Sequence, residues 1–232
     1  MYNVKVVTAF VPLQVKHLTA DAYHTLGWRM LHNTNGRYRF FDNFPLEECW
    51  LYKENPPLVP ATPTPSDRYA TDADHVRSNI VQHSRTQWAM QAYKEDPSLD
   101  TIIWLDLAIL KQGKHTGRPI LPEHVEKFVD AVASQELENV IPFPGIEPQK
   151  PISIHGNNWR FCGSTHIWPT KFLPYIDEEY RYETRRFIRE HKCTPLDLAI
   201  WPAVELHSGL PFRFYQAEYD ATQLTGFPCT SS

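Results

Sequence analysis

Four side chains along this sequence could do chemistry together: Asp106, Asp197, His207 and Asp220. Hard carboxylate oxygens with one imidazole suit a divalent Mn or Mg ion. Such an ion acts as a Lewis acid on phosphoryl oxygens and neutralises the charge that develops on a departing diphosphate. Asp106 is the best placed of the four. It interrupts the run T-I-I-W-L-D-L-A-I-L, Thr101–Leu110, which follows the turn-like Asp96-Pro97-Ser98. A continuous apolar run of this kind fits a strand buried on both faces. The carboxylate then emerges at its C-terminal end, where open α/β sheets bind ligands. The plainer account is an Asp that ends a strand or caps a turn.

The elements that would hold these residues alternate in type. Val4–Phe10 is β-rich and expected as a first central strand. Thr19 offers an N-cap for a helix with Leu18, Ala22, Leu26 and Met30 at helical spacing, stopped by Asn33-Thr34-Asn35-Gly36. Tyr38–Phe41 and Cys49–Tyr52 are expected as short strands around Asp42-Asn43-Phe44-Pro45. Asn55–Ser66 carries five prolines in twelve residues and is a loop, of a length more often functional than idle. A helix over Asp74–Lys94 would lead into the Asp106 strand. Beyond it, Lys111–Arg118 reads as a basic, glycine-containing loop. Pro122–Ser134 reads as a helix with Pro near its start, and Val140–Pro151 as irregular.

Ile152–His155 and Trp159–Ile167 are expected strands, and Pro169–Tyr175 a helical turn. Helices over Asp177–Lys192 and Pro195–Val204 follow, then a last strand at Phe212–Tyr215 and a tail over Ala217–Ser232 with little pattern. The sequence shows no internal repeat and no low-complexity segment.

Composition narrows the class. A chain of 232 residues can bury one sizeable core, and 42% hydrophobic with 22% charged residues is ordinary for a globular protein. Twenty prolines against nine glycines predict stiff loops and many short elements. No apolar run approaches the roughly 20 residues that span a bilayer, and Met1–Phe10 has no signal-peptide architecture. Cys49, Cys162, Cys193 and Cys229 form no C-x-x-C pair, so reduced thiols in the cytoplasm are expected. A net charge of −4 gives no general attraction to nucleic acid or anionic lipid.

Alternating strands and helices with a carboxylate at an internal strand end suit a nucleotide-sugar site. The motifs make this more specific. Helix Asp74–Lys94 followed by Ile102-Ile103-Trp104-Leu105-Asp106, then Phe161-Cys162-Gly163-Ser164, then Asp197 in T-P-L-D-L-A-I-W, then His207-Ser208-Gly209, resembles the order of motifs in GT-A-fold glycosyltransferases of the glycogenin and bacterial lipooligosaccharide galactosyltransferase type. The resemblance covers roughly Val4–Tyr215. It implies one GT-A-like α/β domain over 1–232, with a Rossmann-like central mixed sheet flanked by helices. It also implies glycosyl transfer from a nucleotide sugar such as a UDP-sugar to an acceptor hydroxyl.

By that resemblance Asp106 and Asp197 carry catalysis, and Asp106 with His207 holds Mn or Mg. Trp104, Asp106, Phe161, Gly163 and Ser164 then line the donor site. Arg77 and Arg85, on the helix before the Asp106 strand, could reach phosphate bidentately. The pattern departs at two places: the second Asp of D-x-D is Ala108, and the Gln after the later Asp is Leu198. Either Asp106, His207 and the phosphates hold the metal, or arginines and lysines neutralise the diphosphate without one.

Each residue has a plainer account. Asp197 could cap a helix beginning at Pro195, and His207 could be an exposed loop residue. His155 and His166 could be packed strand residues, and Arg77 and Arg85 could lie on a solvated helix face. Arg181, Arg185, Arg189 and Lys192 recur at i, i+4 as a basic stripe. That is a solvated face, or a track for a polyanionic acceptor such as DNA bearing hydroxymethylated bases. A saccharide is the other acceptor class. Nucleotidyl transfer, which normally needs two carboxylates on its metal, and a degenerate non-catalytic binding module are the rival functions.

Overall fold

The computed structural model describes residues 1–13, 19–145 and 160–228. The central sheet has four strands. They are β1 (Val4–Ala9), β2 (Tyr38–Phe41), β3 (Thr101–Leu105) and β5 (Thr165–Pro169), in the order β2-β1-β3-β5. β1 runs parallel to β2 and β3, whereas β5 is antiparallel to β3, with Trp104 opposite His166. A second, two-stranded parallel sheet joins β4 (Ile141–Gly145) to β6 (Phe212–Gln216). The fold is therefore mixed α/β with helices on both faces of a mixed sheet.

The period-2 alternation of β3 explains its unbroken apolar run. Ile102 and Trp104 face one core with Trp168, Ile176, Tyr180 and Trp201. Ile103 and Leu105 face the other, with Met30, Leu31, Phe128 and Val132. Helix α6 (Leu173–His191) and helix α7 (Asp197–His207) cover the first face. Helices α1 (Ala20–Leu31) and α5 (Pro122–Ala133) cover the second. Thr19 caps α1 by accepting from the Ala22 N–H at 3.2 Å, and Pro122 opens α5 where no N–H is needed.

Several boundaries differ from the sequence expectation, each for a local reason. Cys49–Tyr52 is not a strand: α2 (Trp50–Lys53) starts there, with the Trp50 indole buried and donating to the His83 carbonyl at 2.8 Å. The long helix over 74–94 is two, α3 (Asp72–His83) and α4 (Arg85–Glu95), broken where the Ser84 hydroxyl bonds back to the Ile80 carbonyl at 2.9 Å. β3 ends at Leu105, because residues after Asp106 curl into a turn closed by the Ile109 N–H on the Asp106 carbonyl at 2.9 Å.

Ile141–Gly145 is a strand despite two prolines. Pro142 and Pro144 alternate along it, and the side they share receives a bond from the Cys162 N–H on the Pro144 carbonyl, which needs no proline N–H. Residues 161–164 turn rather than extend, so that strand begins at Thr165. The expected helical turn and the helix after it are continuous in α6, with Pro174 in its first turn. Helix α7 begins at Asp197 rather than Pro195 and runs on to His207. The last helix is α8 (Thr222–Thr225). The expected strand at 152–155, and His155 with it, lies outside the described residues.

Candidate active site

β1 and β3 run parallel, so their carboxyl ends open on the same side of the sheet, at Phe10 and Asp106. Asp106 follows β3 directly and is held there by its N–H, which donates to the Ser164 carbonyl at 2.9 Å. Its Oδ1 accepts from the Trp104 indole at 3.0 Å and from the Arg85 guanidinium at 3.3 Å. Arg85 is the first residue of α4, and its other terminal nitrogen donates to Asp197, the first residue of α7. One guanidinium thus bridges a strand end and a helix start. The N-terminal dipole of α7 adds to the attraction on Asp197.

Arg85 and Asp197 are buried at 6% and 2% side-chain exposure, while Asp106 is 33% exposed and opens to solvent. Burial pushes the carboxyls of Asp106 and Asp197 above the ordinary range, and the Arg85 charge pulls both back. Burial alone would lower Arg85, but the two carboxylates outweigh it and hold the guanidinium firmly charged. Two carboxylates against one guanidinium leave the ionised cluster with one surplus negative charge.

Gly163 permits the close approach of the 161–164 turn. A Cβ there would sit 3.3 Å from both the Arg85 and Asp197 side chains and 3.0 Å from Leu198. The turn is fixed by the Gly163 N–H donating to the Tyr219 hydroxyl at 3.1 Å, and by the His166 ring on the Gly163 carbonyl at 3.1 Å.

Above this cluster lies a cleft of about 790 Å³, lined among others by Arg68, His75, Asn79, Gln82, Lys111, Gln112, His115, Ser164 and Tyr219. A side pocket of about 200 Å³ adjoins it beneath Phe10, Val11, Tyr23, Trp88 and Trp104. The two share Tyr23, Gln82, Arg85, Asp106 and Ala108. Burial, with the Asp106 charge second, pushes the Tyr23 phenol up to about 12. A charged floor with an aromatic annex can bind a ligand that has a polar body and a flat apolar end.

The residues singled out in the sequence separate into two groups. Asp106, Asp197 and Arg85 meet, Gly163 and Ser164 line the cleft beside them, and Trp104 lines the annex. The others do not join them. Phe161 is in the core against Phe143, with ring centroids 4.3 Å apart, because residues 161 and 162 turn inward before 163 reaches the cleft. Arg77 pairs with Asp74 at 3.1 Å on the solvent side of α3 and lines neither cavity.

His207 closes the far end of α7, about 15 Å from Asp197 at the α-helical rise, and bonds Glu183 at 3.1 Å. It is therefore not a partner of Asp106. Asp220 is fully buried, pairs with Arg118 at 2.8 Å, and accepts from the Thr222 N–H at 2.8 Å just before α8. Two members of the basic stripe are already engaged: Arg181 pairs with Asp177 at 2.9 Å and Arg185 with Glu54 at 2.6 Å, both over the Trp50 ring. Sequence reasoning did not single out Arg68, Asn79 or Tyr219, which stand in loops or on a helix face without a motif.

The donor set does not fit a divalent metal. Among the described residues no three His, Cys, Asp or Glu side chains converge. Asp106 stands as a single carboxylate whose Oδ1 already accepts from Arg85 and Trp104, and position 108 offers a methyl group where a second carboxylate would be needed.

The fold and site define an α/β protein with a ligand cleft at the carboxyl ends of a mixed sheet. No family model matches the chain, and no curated protein matches it. Among solved structures it is similar to a glycosyltransferase involved in the glycosylation of the major capsid of PBCV-1. The TM-score is 0.49 at 10% identity, over 93% of this chain and 81% of that one. A likeness of this extent assigns no residue and no reaction. Among the described residues no helix is long and apolar enough to cross a membrane.

Proposed function

We propose that this chain transfers a sugar from a nucleotide-sugar donor to an acceptor hydroxyl. The observation that carries the reading is the Asp106–Arg85–Asp197 bridge beneath the cleft. It unites the residues of three separate motifs whose order resembles that of GT-A glycosyltransferases. The aromatic annex suits a flat nucleobase, and the cleft is large enough for a diphosphate and a sugar.

In this reading Asp106, the exposed member, accepts hydrogen bonds from donor hydroxyls. It is also the carboxylate placed to take the proton of the acceptor hydroxyl as the new C–O bond forms and the diphosphate leaves. Asp197 orients Arg85, which fixes Asp106 and meets the sugar from below. A hydroxyl on a neutral saccharide is the favoured acceptor, since Arg181 and Arg185 already have carboxylate partners.

A non-catalytic binding module is the second reading, supported by Ala108. Titration with a panel of nucleotide sugars, followed by assay of sugar release, tests both. Micromolar binding with release supports transfer, and binding without release supports the module. No binding of any nucleotide or nucleotide sugar refutes the nucleotide-sugar site altogether.

A further inference from the structure

The lost carboxylate at 108 poses a charge problem, because a departing diphosphate still needs its charge neutralised. We infer that side chains at the cleft rim, Arg68 and Lys111 with support from Lys114 and His115, form a diphosphate-binding site that does this work in place of a divalent ion. The inference rests on the nucleotide-sugar reading and names how that site takes its leaving group.

The rim draws on two separate segments of the chain that line one cleft. Lys111 follows the turn after Asp106, three residues beyond Ala108, and enters the loop 111–118. That loop is held tight: Gly113 has φ +78°, a Cβ on it would fall 2.0 Å from the Arg118 carbonyl oxygen, and the Arg118 N–H closes on the Gly113 carbonyl at 3.1 Å. Arg68 stands on the other segment, just before α3. Its neighbour Tyr69 is anchored by stacking on His75 at 4.8 Å and by donating its hydroxyl proton to Ser78 at 3.0 Å. Arg68, Lys111 and His115 line the same cleft as Asp106 and are exposed.

Neither Arg68 nor Lys111 has a carboxylate partner among the described residues, unlike Arg85, Arg118, Arg181 and Arg185. Burial and then the like charges of Arg68 and Lys114 hold Lys111 below the ordinary lysine range. Cations gathered without a counter-charge are what a multiply charged anion relieves. Arg offers a bidentate fork to phosphate oxygens and Lys a point charge.

The test is calorimetric titration of the whole chain with uridine, guanosine and adenosine diphosphates, and with inorganic pyrophosphate. Each titration is run in chelator and again with added Mn. Wild type, Arg68→Ala, Lys111→Ala and the double variant are compared, with thermal midpoints as the folding control. Expected are equal affinities in chelator and in Mn, about a tenfold loss for each single variant, and about a hundredfold loss for the pair. These losses correspond to about 1.4 and 2.8 kcal/mol, with unchanged midpoints.

A tenfold or greater gain on adding Mn, or a double variant that binds like wild type, overturns the inference while leaving nucleotide-sugar transfer standing. Failure of wild type to bind any nucleoside diphosphate, with pyrophosphate still bound through Arg68 and Lys111, refutes the nucleotide-sugar reading and keeps the anion site. Failure to bind either ligand overturns both.

Discussion

Replacing Arg85 by Leu isolates the electrostatics of the site. Arg85 is 6% exposed and bridges Asp197, 2% exposed, to Asp106, 33% exposed. Removing one partner of a buried ion pair costs about 3–5 kcal/mol, because the other charge is left without compensation. Asp106 keeps part of its hydration, which favours the lower end, about 3 kcal/mol. For a chain of this size, about 2–4 °C per kcal/mol gives a midpoint about 6–12 °C lower at pH 7.5.

The pH dependence carries the mechanism. Burial already raises both carboxyls and Arg85 opposes that rise, so both go higher in the variant. An acid whose folded pKa exceeds its unfolded value binds more protons when native. Its contribution is full below the unfolded value, about 3.9, and is lost as pH rises through the folded value. The variant's deficit should therefore be largest near neutrality and shrink as the pH is lowered towards that unfolded value. Adding Asp197→Asn to Arg85→Leu removes the stranded charge and should recover stability at pH 7.5. Urea and thermal unfolding of both variants at several pH values provide the check. A midpoint change under about 2 °C, a pH-independent deficit, or a double variant weaker than the single would refute the reasoning.

Further outcomes follow from individual contacts. Asp106→Asn keeps the Oδ1 acceptor for Trp104 and Arg85 but loses the charge, so nucleotide-sugar affinity should fall about tenfold or more with little change in midpoint. Calorimetry showing unaltered affinity would take Asp106 out of the site. His207→Ala removes a bond to Glu183, which keeps its Arg186 partner, and should cost about 0.5–1.5 kcal/mol of stability while leaving nucleotide affinity unchanged. A parallel loss of affinity would return His207 to the site. Arg185→Ala with Arg189→Ala should leave the salt slope of any binding to hydroxymethylated DNA within about one unit of wild type, since Arg185 is already paired with Glu54. A larger drop in slope would restore the stripe as a phosphate track.

The sequence by itself determined the central strand and what emerges from it. T-I-I-W-L followed by Asp is apolar on both faces at period two, and only a strand sandwiched between helix layers buries both sets at once. That placed Asp106 at the carboxyl end of an internal strand, and the start of a helix near Asp197 was legible from Pro195 and the run after it. Tertiary structure decided which residues meet. Arg85 and Arg77 look alike in sequence, but α4 starts afresh after the Ser84 break and its first side chain reaches Asp106 and Asp197, while Arg77 remains in solvent. His207 carried a plausible ligand pattern, yet it stands three turns from Asp197 on the same rigid helix, a separation the spacing fixed only once the helix was known to be unbroken. Arg68 and Lys111 lie in loops, where no periodicity relates one segment to another. Their shared rim arises from how the chain folds across the cleft.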